Sequence, residues 1–215
     1  MKQLKRGILI SIEGIDGSGK STLANKLRDA LQKKDFPVVL TCEPGGTEVG
    51  KLIRPMLQHK LPSMCDQTEF LLYAADRAQH FEELIIPKIQ EKKLIISDRM
   101  NDSSVAYNGY GRGLDLQMIK SVNAWVMKQH KPDITLYIQL PIAEAVARLK
   151  KRKGRPTSIE QEKEAFTKRV VQGFETVFKN RPEVITLDGR QDADMLAKTA
   201  FANIVRFFKD NKLTS

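Results

Sequence analysis

The sequence has few cysteines and no long apolar run, and both absences exclude classes of protein. Its 215 residues include two cysteines, Cys42 and Cys65, which lie outside any CxxC or Cys/His pattern. This arrangement indicates neither a disulfide framework nor a zinc site, and it favours a reducing compartment, so we expect a cytoplasmic protein. The apolar run 8–12 is interrupted by Ser11 and ends at Glu13. Because it is too short for a signal peptide or a membrane-spanning helix, we expect no membrane partner.

Acidic residues are fewer than basic ones, and this imbalance leaves several kinds of partner open. The chain carries 36 Lys and Arg against 26 Asp and Glu, a formal net charge of +10. Such an excess suits nucleic acid, an anionic membrane or small phosphorylated ligands. A groove for single-stranded nucleic acid needs aromatic side chains among the basic ones, and the Lys-rich segment 150–153 has none. We therefore expect no nucleic-acid partner, with a nucleic-acid-stimulated ATPase or binding module as the alternative from another class.

The order of apolar and helical patterns predicts the fold class. No repeat or low-complexity linker divides the chain, so we expect a single domain over residues 1–215. Short apolar runs predict strands, and intervening segments of helical periodicity predict helices. The predicted strands are 7–12, 38–40, 94–97, 134–138 and 184–187. The main predicted helices are 47–57, 66–92, 115–129, 142–151 and 192–210. Two further helices are predicted, one directly after the Gly-rich turn that follows the first strand and one that ends at about residue 180. This alternation predicts an α/β fold of three layers, with a five-stranded parallel sheet flanked by helices.

A Gly-rich segment directly after the first predicted strand carries a nucleotide-binding pattern. The match to G-x-x-x-x-G-K-[ST] is complete and consists of Gly14, Ile15, Asp16, Gly17, Ser18, Gly19, Lys20 and Ser21. The glycines allow a tight turn whose N–H groups face phosphate oxygens, while Lys20 reaches the β- and γ-phosphates and Ser21 ligates Mg²⁺. The N-terminus of the next helix adds positive potential, and Thr22 completes the predicted ATP-binding set. The sequence therefore predicts a P-loop enzyme that moves the terminal phosphoryl group of ATP.

The end of the third predicted strand supplies two further candidates. Asp98 follows the apolar run 94–97, as does the acid that holds Mg²⁺ in P-loop enzymes. The adjacent Arg99 is placed to clamp a phosphate of the acceptor. In the Gly-rich loop, the Asp16 carboxylate can approach Mg²⁺ or an acceptor hydroxyl. The predicted cofactor is Mg²⁺, and its predicted ligands are Ser21, Asp98 and Asp16.

Further motifs follow along nearly the whole chain. In order they are Glu43-Pro44-Gly45-Gly46-Thr47, Tyr73-Ala74-Ala75-Asp76-Arg77, Asp98-Arg99, the run 102–107, Gly111-Arg112-Gly113, the run 132–137, and a basic segment before Ile159-Glu160. Each motif is weak by itself, but in this order and spacing they resemble the bacterial thymidylate kinase family. The resemblance implies a nucleoside monophosphate kinase with a small mobile lid at about residues 150–160. It also implies transfer of the γ-phosphoryl group of MgATP to dTMP, giving dTDP and ADP, by a homodimer.

The resemblance implies roles in the acceptor site as well. Tyr73 would stack on the thymine, Arg77 would bind the edge of the base, and Arg99 would hold the substrate phosphate. Tyr107 would sit against the sugar and disfavour a 2′-hydroxyl, and Asp16 would lie near the 3′-hydroxyl and the metal. The full implied dTMP-binding set is Asp16, Glu43, Pro44, Tyr73, Arg77, Arg99, Ser104, Tyr107 and Asn108.

The chain departs from the pattern of the family at several positions. Tyr73 replaces the usual Phe but keeps a π-face for stacking. Cys42 stands where Arg commonly precedes the Glu-Pro-Gly-Gly run, and Asn108 replaces a frequent Gln. Thr157-Ser158 stands where Asp-Arg usually precedes Ile-Glu. These positions are therefore where the acceptor site and the lid are expected to differ from those of relatives.

The family places its catalytic arginine either in the phosphate loop or in the lid. The loop of this chain contains no Arg, whereas the segment 150–155 is strongly basic, so the lid type fits. Gly154 suits a hinged loop. Only Arg offers a planar fork that bridges two phosphate oxygens, so Arg152 is the first candidate and Arg155 the second. The predicted catalytic set is Lys20, Asp16, Arg99, Arg152 and Arg155, with Arg148 and Arg169 in reserve.

A kinase for another nucleoside monophosphate, or for a nucleoside, is the nearest alternative. The fold and the phosphate loop do not discriminate between these acceptors. The Tyr73–Arg77 pair and Tyr107 are the residues that favour dTMP.

Overall fold

Five short strands and the helices between them make up residues 3–61, 63–153 and 155–213, which a computed structural model describes. The strands are β1 Ile8–Glu13, β2 Val38–Cys42, β3 Leu94–Asp98, β4 Ile134–Gln139 and β5 Val184–Asp188. The helices are α1 Lys20–Gln32, α2 Glu48–Gln58, α3 Asp66–His80, α4 Ile86–Gln90, α5 Asn101–Ser104, α6 Leu116–Val126, α7 Ile142–Lys151, α8 Glu164–Phe178 and α9 Ala193–Asp210. Phe81–Ile85 and Val105–Gly111 are π-helical, and Ile159–Gln161 is a single 3₁₀ turn. The predicted hinge residue Gly154 lies outside the described residues.

The strands form one parallel sheet in the order β2-β3-β1-β4-β5, which confirms the predicted fold class. β1 pairs with β3 on one side, where Ile12 is opposite Asp98, and with β4 on the other, where Glu13 is opposite Tyr137. The neighbouring strands β1 and β3 are followed by connections that run in opposite directions across the sheet, from β1 to β2 and from β3 to β4. In open α/β sheets ligands bind at such a switch point, beyond the carboxyl ends of the strands. The Gly-rich loop begins at this point.

Strand β1 is buried along its whole length because helices cover both of its faces. On one face, Ile10 and Ile12 pack with Leu23 and Leu27 of α1 and with Ile204 of α9. On the other face, a second apolar cluster joins Leu9 and Ile95 of the sheet to Phe81, Ile85 and Val126. Fully burying a side chain of this size stabilises the fold by about 1.5–3 kcal/mol. The rigid centre of the sheet therefore carries the loop that follows it.

Three details of the predicted helices need correction. The helix predicted to reach residue 129 ends at Val126, because Lys128 and Gln129 have positive φ values of 48° and 63°. The predicted helix 66–92 is divided into α3, the π-helical stretch Phe81–Ile85 and α4, and Pro87 lies in the first turn of α4, where proline is tolerated. The helical segment from Asn101 to Gly111 was not predicted, since its mostly polar sequence lacks an apolar period. Over the described ranges, no helix is long and apolar enough to cross a membrane.

Candidate active site

A cleft of about 1030 Å³ lies beyond the carboxyl ends of β1, β2 and β3. It brings together most of the residues that the sequence singled out. The predicted residues that line it are Asp16, Gly17, Ser18, Gly19, Lys20, Ser21, Thr22, Glu43, Pro44, Tyr73, Arg77, Asp98, Arg99, Ser104, Tyr107, Asn108 and Arg152. The predicted residues outside its lining are Gly14, Ile15 and Arg155. The predicted donor and acceptor groups therefore face one common space.

The backbone of the phosphate loop explains its glycines. Gly14, Gly17 and Gly19 have φ values of 145°, 83° and 102°, which favour glycine. Space is limiting at two of these positions, since an added Cβ would lie 2.7 Å from the carbonyl oxygen of Ile138 at Gly14 and 2.5 Å from that of Ala145 at Gly17. Gly19 directly precedes α1. The loop thus ends at a helix N-terminus, where N–H groups and the helix dipole favour phosphate.

Lys20 is the buried cation of the loop. Its side chain crosses the loop, and Nζ donates a hydrogen bond of 2.9 Å to the carbonyl oxygen of Ile15. Burial and the nearby Arg99 lower the pKa of Lys20 to about 8, although Asp16 and Asp98 act in the opposite direction. An ammonium group has three donors. A phosphate group near Lys20 would therefore find free N–H donors and would stabilise the charged form.

Ser21 and Asp98 meet at the start of α1 and the end of β3. The Ser21 hydroxyl donates a hydrogen bond of 2.5 Å to Oδ2 of Asp98. Mg²⁺ is usually bound by one or two protein oxygens together with phosphates and waters, so this pair fits a metal carried in with a nucleotide. Within the described part of the chain, no group of three or more His, Cys, Asp or Glu side chains is arranged to hold a metal ion by itself.

Arg99 organises the centre of the cleft. Its backbone has a positive φ of 72°, which a non-glycine residue seldom adopts. Nη1 donates to the carbonyl oxygen of Gly14 at 3.0 Å and to Oγ of Ser103 at 2.9 Å. Nη2 donates to Oδ1 of Asp16 at 2.7 Å and to the Tyr107 hydroxyl oxygen at 3.2 Å. The guanidinium group therefore ties the phosphate loop to the helical segment after β3.

Asp16 is ionised in this arrangement. Burial raises its pKa, but Arg99 and Lys20 outweigh that effect and hold it at about 2. Oδ1 accepts from Arg99, and Oδ2 accepts a hydrogen bond of 3.1 Å from the Tyr107 hydroxyl. Each oxygen therefore has one protein partner, so Asp16 orients Arg99 and Tyr107, and its predicted contact with Mg²⁺ stays a prediction.

Glu13 supports Arg99 from the end of β1. Its side chain is fully buried, with Oε1 accepting from the Met100 N–H at 2.8 Å and Oε2 from the Ser103 hydroxyl at 2.6 Å. Ser103 in turn accepts from Arg99. Burial and the neighbouring Asp102 raise the pKa of Glu13 to about 8. In the sequence Glu13 only marks the end of the first apolar run, so this supporting role was not predicted.

A buried network of side chains fixes Arg77 in the wall of the cleft. Nε donates to Oε2 of Glu43 at 2.7 Å, and Nη1 donates to Ser104 Oγ at 3.1 Å and to Asn123 Oδ1 at 2.7 Å. The other oxygen of Glu43 accepts from Nδ1 of His80 at 2.9 Å. Burial raises the pKa of Glu43, but Arg77 and His80 together lower it below the usual value. Asn123 and His80 were not predicted, since neither belongs to a motif.

Tyr73 and Asn108 also line the cleft. Burial, chiefly, and the charge of Glu69 raise the pKa of Tyr73, so its hydroxyl is neutral at physiological pH. The side-chain amide of Asn108 donates to Oε1 of Glu69 at 3.2 Å. Tyr73 therefore presents a neutral aromatic face to the cleft.

The predicted lid arginines differ in their placement. Arg152 lines the cleft, and its Nη2 donates to both carboxylate oxygens of Glu160 at 2.8 and 2.7 Å. Oε2 of Glu160 also accepts from the Thr157 N–H at 2.9 Å. Arg155 is exposed. Since α7 extends to Lys151, the non-helical part of the predicted lid begins at Arg152.

Two arginines in the cleft were not assigned a primary role by the sequence. Arg54 of α2 donates to the carbonyl oxygen of Pro44, and its Nη1 lies 3.8 Å from Sγ of Cys42. It therefore places a cation beside the cysteine that replaces a usual Arg. Arg148, a reserve candidate, lines the cleft and donates to Gly189 O at 2.8 Å. The other reserve, Arg169, instead donates to the carbonyl oxygen of Gly111 at 2.7 Å.

Comparisons with known proteins agree with this geometry. A family model described as thymidylate kinase matches residues 12–199. The thymidylate kinase of Halothermothrix orenii is 40% identical over 93% of this chain and 97% of the relative, and that of Kosmotoga olearia is 42% identical over 88% and 91%. A crystal structure of thymidylate kinase from Ehrlichia chaffeensis has a TM-score of 0.76 and 30% identity, covering 93% of this chain and 99% of that one. The matched region contains every residue of the predicted site.

Proposed function

The chain belongs to the thymidylate kinase family and is an ATP-dependent dTMP kinase, and we propose that the cleft is where the γ-phosphoryl group of ATP passes to dTMP. The observation that carries the proposal is that one cleft holds both the phosphate loop and the cluster of Tyr73, Arg77, Arg99 and Tyr107. The products are dTDP and ADP. The transfer involves no covalent intermediate, so positioning and electrostatics supply most of the catalysis.

The phosphate loop and Lys20 hold the donor. Backbone N–H groups of the loop face the phosphate oxygens, and Lys20 places a buried positive charge at the β- and γ-phosphates. One of its three donors already binds Ile15, which fixes the ammonium group across the loop. This preorganised charge stabilises the negative charge of the transferring group better than a solvated one would.

Ser21 and Asp98 would hold Mg²⁺ together with the phosphates of ATP. Bound there, Mg²⁺ would neutralise charge on the β- and γ-phosphates. The supporting observation is the direct contact between the Ser21 hydroxyl and the Asp98 carboxylate at the phosphate loop. Chelation with EDTA should stop turnover and added Mg²⁺ should restore it, whereas turnover that persists in EDTA would contradict the assignment.

The acceptor site positions dTMP for attack. Tyr73 stacks on the thymine, and Arg77, held rigid by Glu43, faces the edge of the base. Arg99 clamps the acceptor phosphate, because its guanidinium group lies between the phosphate loop and Tyr107. Asp16 keeps Arg99 in place and stays ionised above its pKa of about 2. The lid supplies Arg152 as a further cation for the transition state. We expect the Arg152 side chain to leave Glu160 as the lid closes.

The experiment that tests the acceptor assignment uses Tyr107. Its ring, 9% exposed, lies against the Arg99 guanidinium with 5.0 Å between the guanidinium carbon and the ring centre. The parent enzyme should prefer dTMP to ribo-TMP in kcat/KM, because the ring crowds the 2′ position. Tyr107→Ala should reduce this preference, and Tyr107→Phe should retain it because the ring remains. An unchanged preference in Tyr107→Ala would contradict the assignment.

The protein is expected to act as a homodimer in the cytoplasm. α3 packs against both α2 and α6, and each of these helices exposes a large apolar side chain. The exposed fractions are 76% for Leu52, 56% for Leu71 and 77% for Trp125. The two cysteines are free thiols, as in a reducing compartment.

Sedimentation velocity tests the dimer. Leu52→Glu should shift the protein to monomer, because it places a charge in the proposed apolar interface. Met195→Glu, which changes an exposed side chain on α9, should leave the dimer intact. A monomeric parent, or a Leu52→Glu variant that stays dimeric, would contradict the proposed interface.

A further inference from the structure

One carboxylate beside the acceptor site holds donors from two other parts of the chain. Glu69 of α3 has a side chain only 3% exposed, and its Oε2 lies 2.7 Å from Nζ of Lys60. Arg112 donates to both oxygens, from Nη2 at 3.2 Å and from Nε at 3.3 Å, and Asn108 donates to Oε1 at 3.2 Å. Asp66 also pairs with Lys60 at 3.1 Å and with Arg112 at 3.5 Å, but its side chain is 40% exposed. Glu69 is therefore the buried anion between the two cations, and removing its charge would weaken the pairing of both.

Glu69 is linked to the acceptor end of the cleft in two ways. Asn108, which donates to it, lines the cleft. Tyr73 also lines the cleft and stands four residues further along α3, so the two side chains lie on the same face of the helix. A nucleotide base against Tyr73 and Asn108 would therefore limit the movement of the Glu69 carboxylate.

The two residues whose side chains pair with Glu69 also contact the lid segment, defined as residues 155–162. The backbone N–H of Lys60 donates to Oγ of Ser158 at 2.8 Å, and the Ser158 N–H donates to the carbonyl oxygen of Gln58 at 2.9 Å. Nη1 of Arg112 pairs with Oε1 of Glu162. Lys60 and Arg112 have side chains only 14% and 11% exposed. Lys60, through its backbone, and Arg112, through its guanidinium group, therefore connect the Glu69 carboxylate to Ser158 and Glu162 of the lid segment.

We propose that Glu69 is a positioning residue that couples occupancy of the acceptor site to placement of the lid segment. Binding of dTMP fixes the surroundings of Glu69, which fixes Lys60 and Arg112. These two residues hold the lid segment, and Glu160 of that segment holds Arg152 beside the donor site. By linkage, dTMP then tightens donor binding, and the donor tightens dTMP binding by the same factor. The inference rests on the proposed function, because it needs dTMP in the cleft.

The coupling can be measured by calorimetry with the non-hydrolysable ATP analogue AMP-PNP and Mg²⁺. The ratio of its Kd without and with saturating dTMP should be about fivefold or more in the parent enzyme. Glu69→Gln keeps the shape of the side chain but removes its charge, so the ratio should fall towards unity. Ser158→Ala removes one lid contact without unpairing a buried charge, and it should also lower the ratio if Glu69→Gln does not fold.

Asp133→Asn is the matched control. It removes a partly buried carboxylate that pairs with Arg6 at 2.7 Å and has a side chain 20% exposed, before β4 and away from the cleft. Its ratio should equal that of the parent. A ratio of unity in the parent, or a parental ratio in folded Glu69→Gln and Ser158→Ala, would overturn the inference. Failure of the parent to phosphorylate dTMP would instead overturn the proposed function.

Discussion

Arg152 donates two hydrogen bonds, of 2.8 and 2.7 Å, to the carboxylate of Glu160, whose side chain is only 6% exposed. Both residues line the cleft, and in this pair the guanidinium group of Arg152 is held by a protein carboxylate close to the predicted donor site. The contact of Arg152 with the transferring phosphoryl group therefore has to replace its contact with Glu160.

Replacing Arg152 by Ala should lower kcat far more than it raises the KM for dTMP. The reason is that the contact with the transferring phosphoryl group forms only in the closed complex. Related phosphoryl-transfer sites gain roughly 10³–10⁵ in kcat from such an arginine. Arg155→Ala is the matched variant, and it should have the smaller effect because Arg155, unlike Arg152, does not line the cleft. A near-normal kcat in the Arg152→Ala, Arg155→Ala double variant would contradict a role for the lid arginines and would make Arg148, which also lines the cleft, the next candidate for the transition-state cation.

Lys20→Ala should nearly abolish turnover while the protein stays folded. The buried ammonium supplies charge at the β- and γ-phosphates, where negative charge must be stabilised during transfer. The measurements are kcat and the circular dichroism spectrum of the same preparation. A folded variant with more than roughly a tenth of parental activity would show that the charge contributes less than about 1.4 kcal/mol to the barrier.

Tyr73→Ala should raise the KM for dTMP by an amount worth about 1–3 kcal/mol, the usual scale for one stacked base. Tyr73→Phe should behave like the parent, because the ring does the stacking and the hydroxyl is neutral. Steady-state kinetics on the two variants separates the ring from the hydroxyl. An unchanged KM in Tyr73→Ala would rule out stacking at this position.

The features of the fold and the site that could be predicted from the sequence are those encoded by residues close together in the chain. The phosphate loop, the parallel sheet and Asp98 at the end of β3 follow from apolar runs, glycines and their spacing. The supporting contacts could not be predicted, because they join distant parts of the chain. Asn123 of α6 contacts Arg77, and Glu69 of α3 pairs with Lys60 and Arg112, which come from two other segments of the chain. A single sequence does not show such pairings, since an isolated Asn or Glu on a helix carries no motif.

The stability of the protein should depend on pH through Glu13. Burial, together with Asp102, raises its pKa from 4.5 to about 8 in the folded state. The contribution of Glu13 to the free energy of unfolding is therefore fully present below pH 4.5 and is lost as pH rises towards 8. The reason is that Glu13 loses its proton at a lower pH in the unfolded state than in the folded state. One proton changes the free energy of unfolding by about 1.4 kcal/mol per pH unit in this window. Urea unfolding between pH 4.5 and 8 should show that the free energy of unfolding falls less steeply with pH in Glu13→Gln than in the parent. Equal slopes in the two proteins would contradict the raised pKa.

The central claim is that the cleft selects dTMP as the acceptor of the ATP phosphoryl group. The most direct measurement is ADP formation with ATP, Mg²⁺ and each of dTMP, dUMP, dCMP, dAMP and dGMP in turn, compared as kcat/KM. The Tyr73 face and the fixed Arg77 predict that dTMP exceeds every other acceptor by at least about tenfold. Equal or faster turnover of another monophosphate, or ADP formation that does not depend on any of them, would contradict the account.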